Sequence, residues 1–193
     1  MNNQPSHRLF TALFTLVFAG IVVVAVAYSG LVNVAATSRP SALTQWLLTT
    51  TRDHSIASRS KTIALANLTS AARIGSGGQR YREMCQGCHG GPGVGRDAIG
   101  EGLDPQPPAL WTGALDDEGV RETFWVVKNG IRMTGMPSFG PTHDDEKIWD
   151  IVAFVGKMHG MSSVDYAAAT QRPVTAQATR HDGTQEQHPV APP

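Results

Sequence analysis

The chain has two cysteines, and both fall within one five-residue stretch, Cys85-Gln86-Gly87-Cys88-His89. Two thiols and an imidazole at this spacing restrict the fold more than any other feature. A helix is predicted over Ser70 to Met84. On its continuation, positions 85, 88 and 89 project to one side, because residues three and four apart share a helical face. Thiols placed there can form two thioethers with one haem, and the adjacent imidazole can bind the iron. This spacing followed by histidine is the attachment signal for c-type haem. Three other chemistries use similar residues. A thioredoxin-like pair sits near a βαβ pattern, and the sequence has no alternating strand runs. A zinc site needs a fourth ligand, and the next histidine is His143, with no second cysteine pair. A disulfide across two residues would close too small a loop to stabilise much.

An iron held on one side by His89 needs a second ligand from elsewhere in the chain. Downstream stand His143, His159, Met133, Met136, Met158 and Met161. Of these, Met136 lies between Gly135, which permits close backbone approach, and Pro137, which fixes the chain beyond it. Such a clamp suits a weak thioether–iron bond, so Met136 is the expected axial ligand. Met133 is expected at the haem edge, and Met158 in helix packing or at the surface. The segment from Gly90 to Trp111 is rich in glycine and proline, with little periodicity. A loop of this length is costly to order and needs something to wrap around. Within it, Pro107-Pro108 can set a backbone carbonyl against the free nitrogen of His89 and so fix the ring, which makes Pro108 a candidate site residue.

Helical signals flank the motif. Asp116 caps a predicted helix to Asn129 that ends at Gly130, with Val120, Phe124 and Val127 on one face. Thr142 is expected to cap a last helix whose buried stripe is Ile148, Ile151, Val152 and Val155. At the other end, Leu9 to Tyr28 is twenty residues without a charge, enough to cross a bilayer of ~30 Å hydrocarbon thickness. The alternative is a cleaved signal peptide with Ala25-Val26-Ala27 as its cleavage site. Signal cores are shorter, about 7–15 residues, which favours the anchor.

Zero formal net charge hides a division along the chain. Arg39, Arg52, Arg59, Lys61 and Arg73 stand against Asp53 alone in the connector. Residues 76–160 carry eight basic and twelve acidic side chains. The acidic body excludes a nucleic-acid binder, which needs a basic stripe. The connector reads either as a solvated spacer or as a stretch lying on anionic headgroups with Trp46 at the boundary. Short helices are expected there, one starting near Ser38 and one capped by Asp53. The expected organisation is a cytoplasmic stub and anchor at 1–30, a basic connector at 31–69, a haem domain at 70–160 and a disordered tail at 161–193. The tail has too little apolar content to bury, and its His181 and His188 are not expected to bind metal.

The sequence resembles a class I c-type cytochrome in its single-haem, membrane-anchored bacterial form. Cys85-Gln86-Gly87-Cys88-His89 and Gly135-Met136-Pro137 carry the resemblance. So do Gly77 and Tyr81 before Cys85, Phe154 in the last helix, and Lys128-Asn129-Gly130-Ile131 running toward Met136. The family packs its first helix against its last at Gly77, Tyr81 and Phe154. The stretch is similar to haem c domains of respiratory oxidase subunits and dehydrogenase partners. It covers about residues 70–160.

The resemblance implies an all-α class I cytochrome c fold around one covalent haem, preceded by a transmembrane helix. It implies haem c on Cys85 and Cys88, and iron ligation by His89 and Met136. The expected role is one-electron transfer between redox proteins in the bacterial inner membrane, single pass, with the haem domain periplasmic. No catalytic residue is expected. Expected partners are a dehydrogenase, a quinol-oxidising complex or a terminal oxidase, with lipid at residues 9–28. Two other functions compete with a standalone carrier. One is an electron-transfer subunit of a dehydrogenase or oxidase complex, and the other is a haem-based gas or redox sensor.

Overall fold

A computed structural model describes residues 4–171. Among the described residues it is helical, apart from one isolated bridge between Gly91 and Val94. Two compact units divide after Gln45.

The first unit contains α1 (Gln4–Tyr28). Its segment His7–Tyr28 is long and apolar enough to cross a membrane and is buried nowhere by the chain itself. Thr11 and Thr15 turn their hydroxyls back onto the carbonyls of His7 and Thr11, at 2.8 Å each. Their polar groups are thus satisfied within the helix, as hydrocarbon surroundings demand.

The next helix, α2, is continuous over Ala42–Ser60. The sequence reading expected two short helices, with Asp53 capping the second. Asp53 instead lies mid-helix, 2.8 Å from the Nε of Arg52. No proline or glycine interrupts this stretch, and its C-terminal half is anchored by buried Ile56 and Ser60. Beyond it, Ile63, Ala66 and Leu68 pack on the core of the second unit, and Arg121 Nε donates to the Ile63 carbonyl at 3.2 Å. The end of the connector is therefore part of the packed body, not a spacer.

The body is organised around α3 (Ala71–Met84) and α7 (Asp145–Met158). Gly77 lets them meet, since a Cβ there would run into the Asp150 carbonyl and lie 2.9 Å from the Phe154 Cβ. Tyr81 and Phe154, both fully buried, pack with ring centroids 5.6 Å apart. This is the contact the resemblance implied. At the rim of the crossing, Arg73 pairs with Glu146 and with Asp150 at 3.3 Å. Burial still holds the Asp150 carboxyl above its usual range, against the pull of Arg73 and Arg80.

Helix α6, which follows two short helices described below, spans Asp117–Asn129 and lays Val120, Phe124 and Val127 on the core. Phe124 stacks on Trp149 at 4.0 Å. Asp116 caps it as expected, accepting from Gly119 N at 2.8 Å. The cap of α7 is Asp144, which accepts from Lys147 N at 2.9 Å, and not Thr142. Thr142 is engaged with the Phe139 carbonyl and His143 instead.

The expected disorder after 160 is corrected over α8 (Ser163–Thr170). Its one aromatic, Tyr166, is fully buried and packs edge-on to Tyr81 at 6.3 Å. Arg82 Nη1 bonds the Thr170 carbonyl at 3.4 Å. The Tyr166 ring also packs on Phe154 at 6.1 Å, and this aromatic contact helps to dock a short helix. The remaining tail, 172–193, with His181 and His188, lies outside the described residues.

Replacing Gly77 by alanine should force the α3–α7 crossing apart and lower stability by about 1–3 kcal/mol. Gly75, on the same helix, has open space where its Cβ would be. Gly75→Ala should therefore stabilise by up to ~1 kcal/mol, through helix propensity alone. Denaturant midpoints of the two variants test the contrast.

Candidate functional site

At Cys85 the backbone leaves α3 and begins a single further turn, α4 (Gln86–His89). Both cysteines are free thiols. Cys85 is buried against the core, and burial, with Cys88 nearby, pushes its thiol up to about 12. The His89 amide bonds the Cys85 carbonyl at 2.8 Å, so the two thiols and the imidazole are borne on one turn.

Every residue of this turn is held from outside. Tyr81 donates its hydroxyl to the Gly90 carbonyl at 2.9 Å, in a buried bond directly after the motif. Tyr166 donates to Gln86 Oε1 at 2.8 Å. Asp97 caps α5 (Ala98–Glu101) by accepting from Gly100 N at 2.8 Å, and its own amide bonds the Gly87 carbonyl at 2.8 Å. A Cβ on Gly100 would fall 2.7 Å from the Gly87 carbonyl and 2.9 Å from the Cys88 Cα, so α5 seats against the motif backbone.

His89 Nδ1 lies 2.9 Å from the carbonyl of Pro108. A carbonyl only accepts, so Nδ1 carries the proton and Nε2 presents its lone pair. Burial lowers the histidine pKa, opposed by the Pro108 contact and assisted by Arg96. The ring is thus a neutral, oriented donor. Arg96 anchors the same loop by donating from Nη2 to the Pro107 carbonyl at 2.7 Å. Its Nε is buried without a partner.

Met136 sits in the loop after α6. Gly130 ends that helix at φ 67°, and a Cβ there would be 2.8 Å from Pro137 C and Ser138 N. Only glycine allows both the left-handed turn and this approach. The loop is then stitched back to α6. Phe139 N donates to the Val127 carbonyl at 3.1 Å, Gly140 N to the Lys128 carbonyl at 2.9 Å, and Ser138 Oγ to the same carbonyl at 2.7 Å. Met136 itself donates its amide to Thr134 Oγ1 at 3.1 Å and accepts from Ile131 N at 3.2 Å. Gly135 is close enough to Leu103 that a Cβ would lie 2.5 Å from its Cδ2. Met136, like Leu110, Trp111, Leu115 and Phe139, is partly buried and packs against the hydrophobic core.

Met133, expected at the haem edge, is 89% exposed with φ 60°, a solvent-facing turn residue. His143 rests edge-on against Phe139 and bonds Thr142. Sequence reasoning missed Tyr166, Arg96 and Asp97. Asp97, three residues before Gly100, carried a cap signal that the glycine-rich context obscured.

The residues therefore fit a c-type haem. Two thiols and a neutral imidazole lie on one turn, and a loop stitched back to α6 carries the Met136 thioether. Residues 72–155 match the family model for cytochrome C oxidase, cbb3-type, subunit III. This stretch is a class I c-type cytochrome domain. No curated protein matched the chain. A cytochrome domain of this class implies haem c and serves haem-based electron transfer. Helix α8 and all of α2 lie outside the matched residues, yet α8 closes onto the motif at Gln86.

Tyr81→Phe should leave the buried Gly90 carbonyl without its donor and cost about 1–3 kcal/mol. Tyr166→Phe loses only a partly exposed side-chain bond and should cost about 1 kcal/mol. Chemical unfolding of the haem-loaded variants distinguishes the two.

Proposed function

We propose that this chain is a membrane-anchored electron-transfer protein. It holds one haem c through thioethers to Cys85 and Cys88, with His89 and Met136 as the iron ligands. The observation that carries the reading is the His89–Pro108 contact, which leaves Nε2 free on the turn that bears both thiols. When bound, haem c supplies a ferric–ferrous couple that takes up and releases one electron.

The chain's own residues supply attachment, orientation and exclusion of water. Cys85 and Cys88 bind covalently. Pro108 fixes the His89 tautomer. Bonds to the Val127 and Lys128 carbonyls hold the Met136 loop against α6, and the Met136 thioether would be held ready for the iron. Arg96 Nε is a spare buried donor for a carboxylate of the porphyrin. Ligation by methionine and histidine raises the potential and leaves no open iron position, which favours relay over gas sensing.

His7–Tyr28 anchors the chain, and the cytochrome domain lies on the periplasmic side of the bacterial inner membrane. The match to an oxidase subunit supports a second reading, in which the chain is the electron-transfer subunit of an oxidase complex. Either way the body presents an acidic surface. Glu122 is held above its usual range by burial first and then by Glu118, Asp53 and Asp116 around it. Such a surface steers toward a basic partner.

Met136→Leu should remove the weak far-red band of methionine bound to ferric iron and admit carbon monoxide to the ferrous protein, while Met133→Leu keeps the band. Met136→His should lower the midpoint potential. Retention of the band in Met136→Leu would displace Met136 as the ligand. Electron-transfer rates with a basic partner should fall as ionic strength rises, read by stopped-flow reduction over a salt series.

A further inference from the structure

Helix α2 turns two different faces outward and inward. Ile56 and Ser60 are buried in the body. Leu47 precedes Ile56 by nine residues, which at 3.6 residues per turn places it about half a turn away, on the opposite side. Leu43 lies four residues before Leu47 on the same face. Leu43 is 72% exposed and Trp46 62%, and Leu47 and Leu48 are each more than half exposed. Four large apolar side chains thus sit within six residues at the start of the helix, on faces that the chain leaves uncovered. Arg52 and Arg59 follow one another at a seven-residue interval along the edge next to Leu48, and Arg39 and Lys61 flank the helix.

Two occupants suit this face, a protein and a lipid surface. Three observations favour lipid. First, only residues 29–41 separate α2 from the end of the membrane-crossing α1, so a bilayer holding α1 presents its surface to α2 at high effective concentration. Second, the intervening chain is itself apolar, with Leu31, Val32 and Val34 exposed. Third, the composition is that of an interfacial helix, with leucines and a tryptophan beside arginines. Four basic residues, Arg39, Arg52, Arg59 and Lys61, against Asp53 alone in 38–61 match an anionic headgroup layer.

We infer that the N-terminal half of α2 is a membrane-surface helix. It lays Leu43, Trp46, Leu47 and Leu48 into the headgroup boundary of an anionic bilayer, with Arg52 and Arg59 at the phosphates. The haem domain, carried by the buried face of the same helix at Ile56 and Ser60, is thereby held next to the membrane. This rests on insertion of α1 but not on the iron ligands.

The full haem-loaded chain, reconstituted into phosphatidylcholine vesicles with and without phosphatidylglycerol, tests it with lipids brominated at defined depths. Trp46 emission is isolated as the difference between the chain and its Trp46→Phe variant. It should be quenched most by bromines near the headgroups, and more strongly with phosphatidylglycerol. Leu43→Ser/Leu47→Ser should reverse most of that quenching while the chain still floats with the vesicles. Trp46 emission indifferent to bromine in a chain that floats would overturn the inference. So would quenching equal in wild type and the double serine variant. Trp46 shielded from iodide only after addition of an acidic protein would assign the face to a protein partner. A chain that fails to float would instead refute α1 as an anchor, a separate failure.

Discussion

The close crossing of α3 and α7 at Gly77 is the contact on which the remaining arrangement depends. It brings two helix backbones to a separation that no side chain at that position would permit. That approach places Tyr81 against Phe154, and the fixed Tyr81 ring delivers its hydroxyl to the Gly90 carbonyl. The motif turn is therefore positioned by a chain of contacts that begins a full two turns before the first cysteine. Asp150 carries the electrostatic cost, its carboxylate partly desolvated at the edge of the same crossing while Arg73 and Arg80 hold it. Packing at this site outweighs the unfavourable solvation of one acid.

The second organising element is a pair of loops, one reaching His89 and the other carrying Met136. One, containing Pro107 and Pro108, is short of regular structure but well tied, with Arg96 on one carbonyl and His89 on the next. The other is attached to the end of α6 through Val127 and Lys128. Leu103 against Gly135 joins them. Neither loop relies on its own secondary structure, and bonds to neighbouring elements hold both.

What was legible in the sequence follows from how local each signal is. The cysteine motif, the Asp116 cap, the Gly130 stop and the stripe of α7 are all encoded within one or two turns. The same is true of Gly135-Met136-Pro137 as a braced loop. The His89–Pro108 contact spans nineteen residues, yet was accessible because a haem-binding histidine must have its second nitrogen occupied. Elements whose existence depends on distant contacts were not legible. Helix α8 has the composition of a tail and is ordered by one tyrosine finding Gln86, Gly91 and Tyr81. The continuity of α2 goes with the burial of Ile56 and Ser60, which no local pattern announces. Thr142 was the expected cap of the last helix, and Asp144 fills that place by accepting from Lys147 N.

The docking of α8 also changes how the two residues between the cysteines are understood. In a motif defined by its cysteines and histidine, those two positions are usually regarded as free to vary. Here Gln86 is bonded by Tyr166, and Gly87 is flanked by Asp97, whose Oδ2 would stand 2.5 Å from any Cβ placed there. Both intervening positions are thus committed to partners, one of them eighty residues away. Among relatives of this chain, glutamine at the first position and tyrosine in the C-terminal helix should occur together or be absent together. Their joint presence would identify which relatives carry the additional helix, even where the tail itself is too divergent to align.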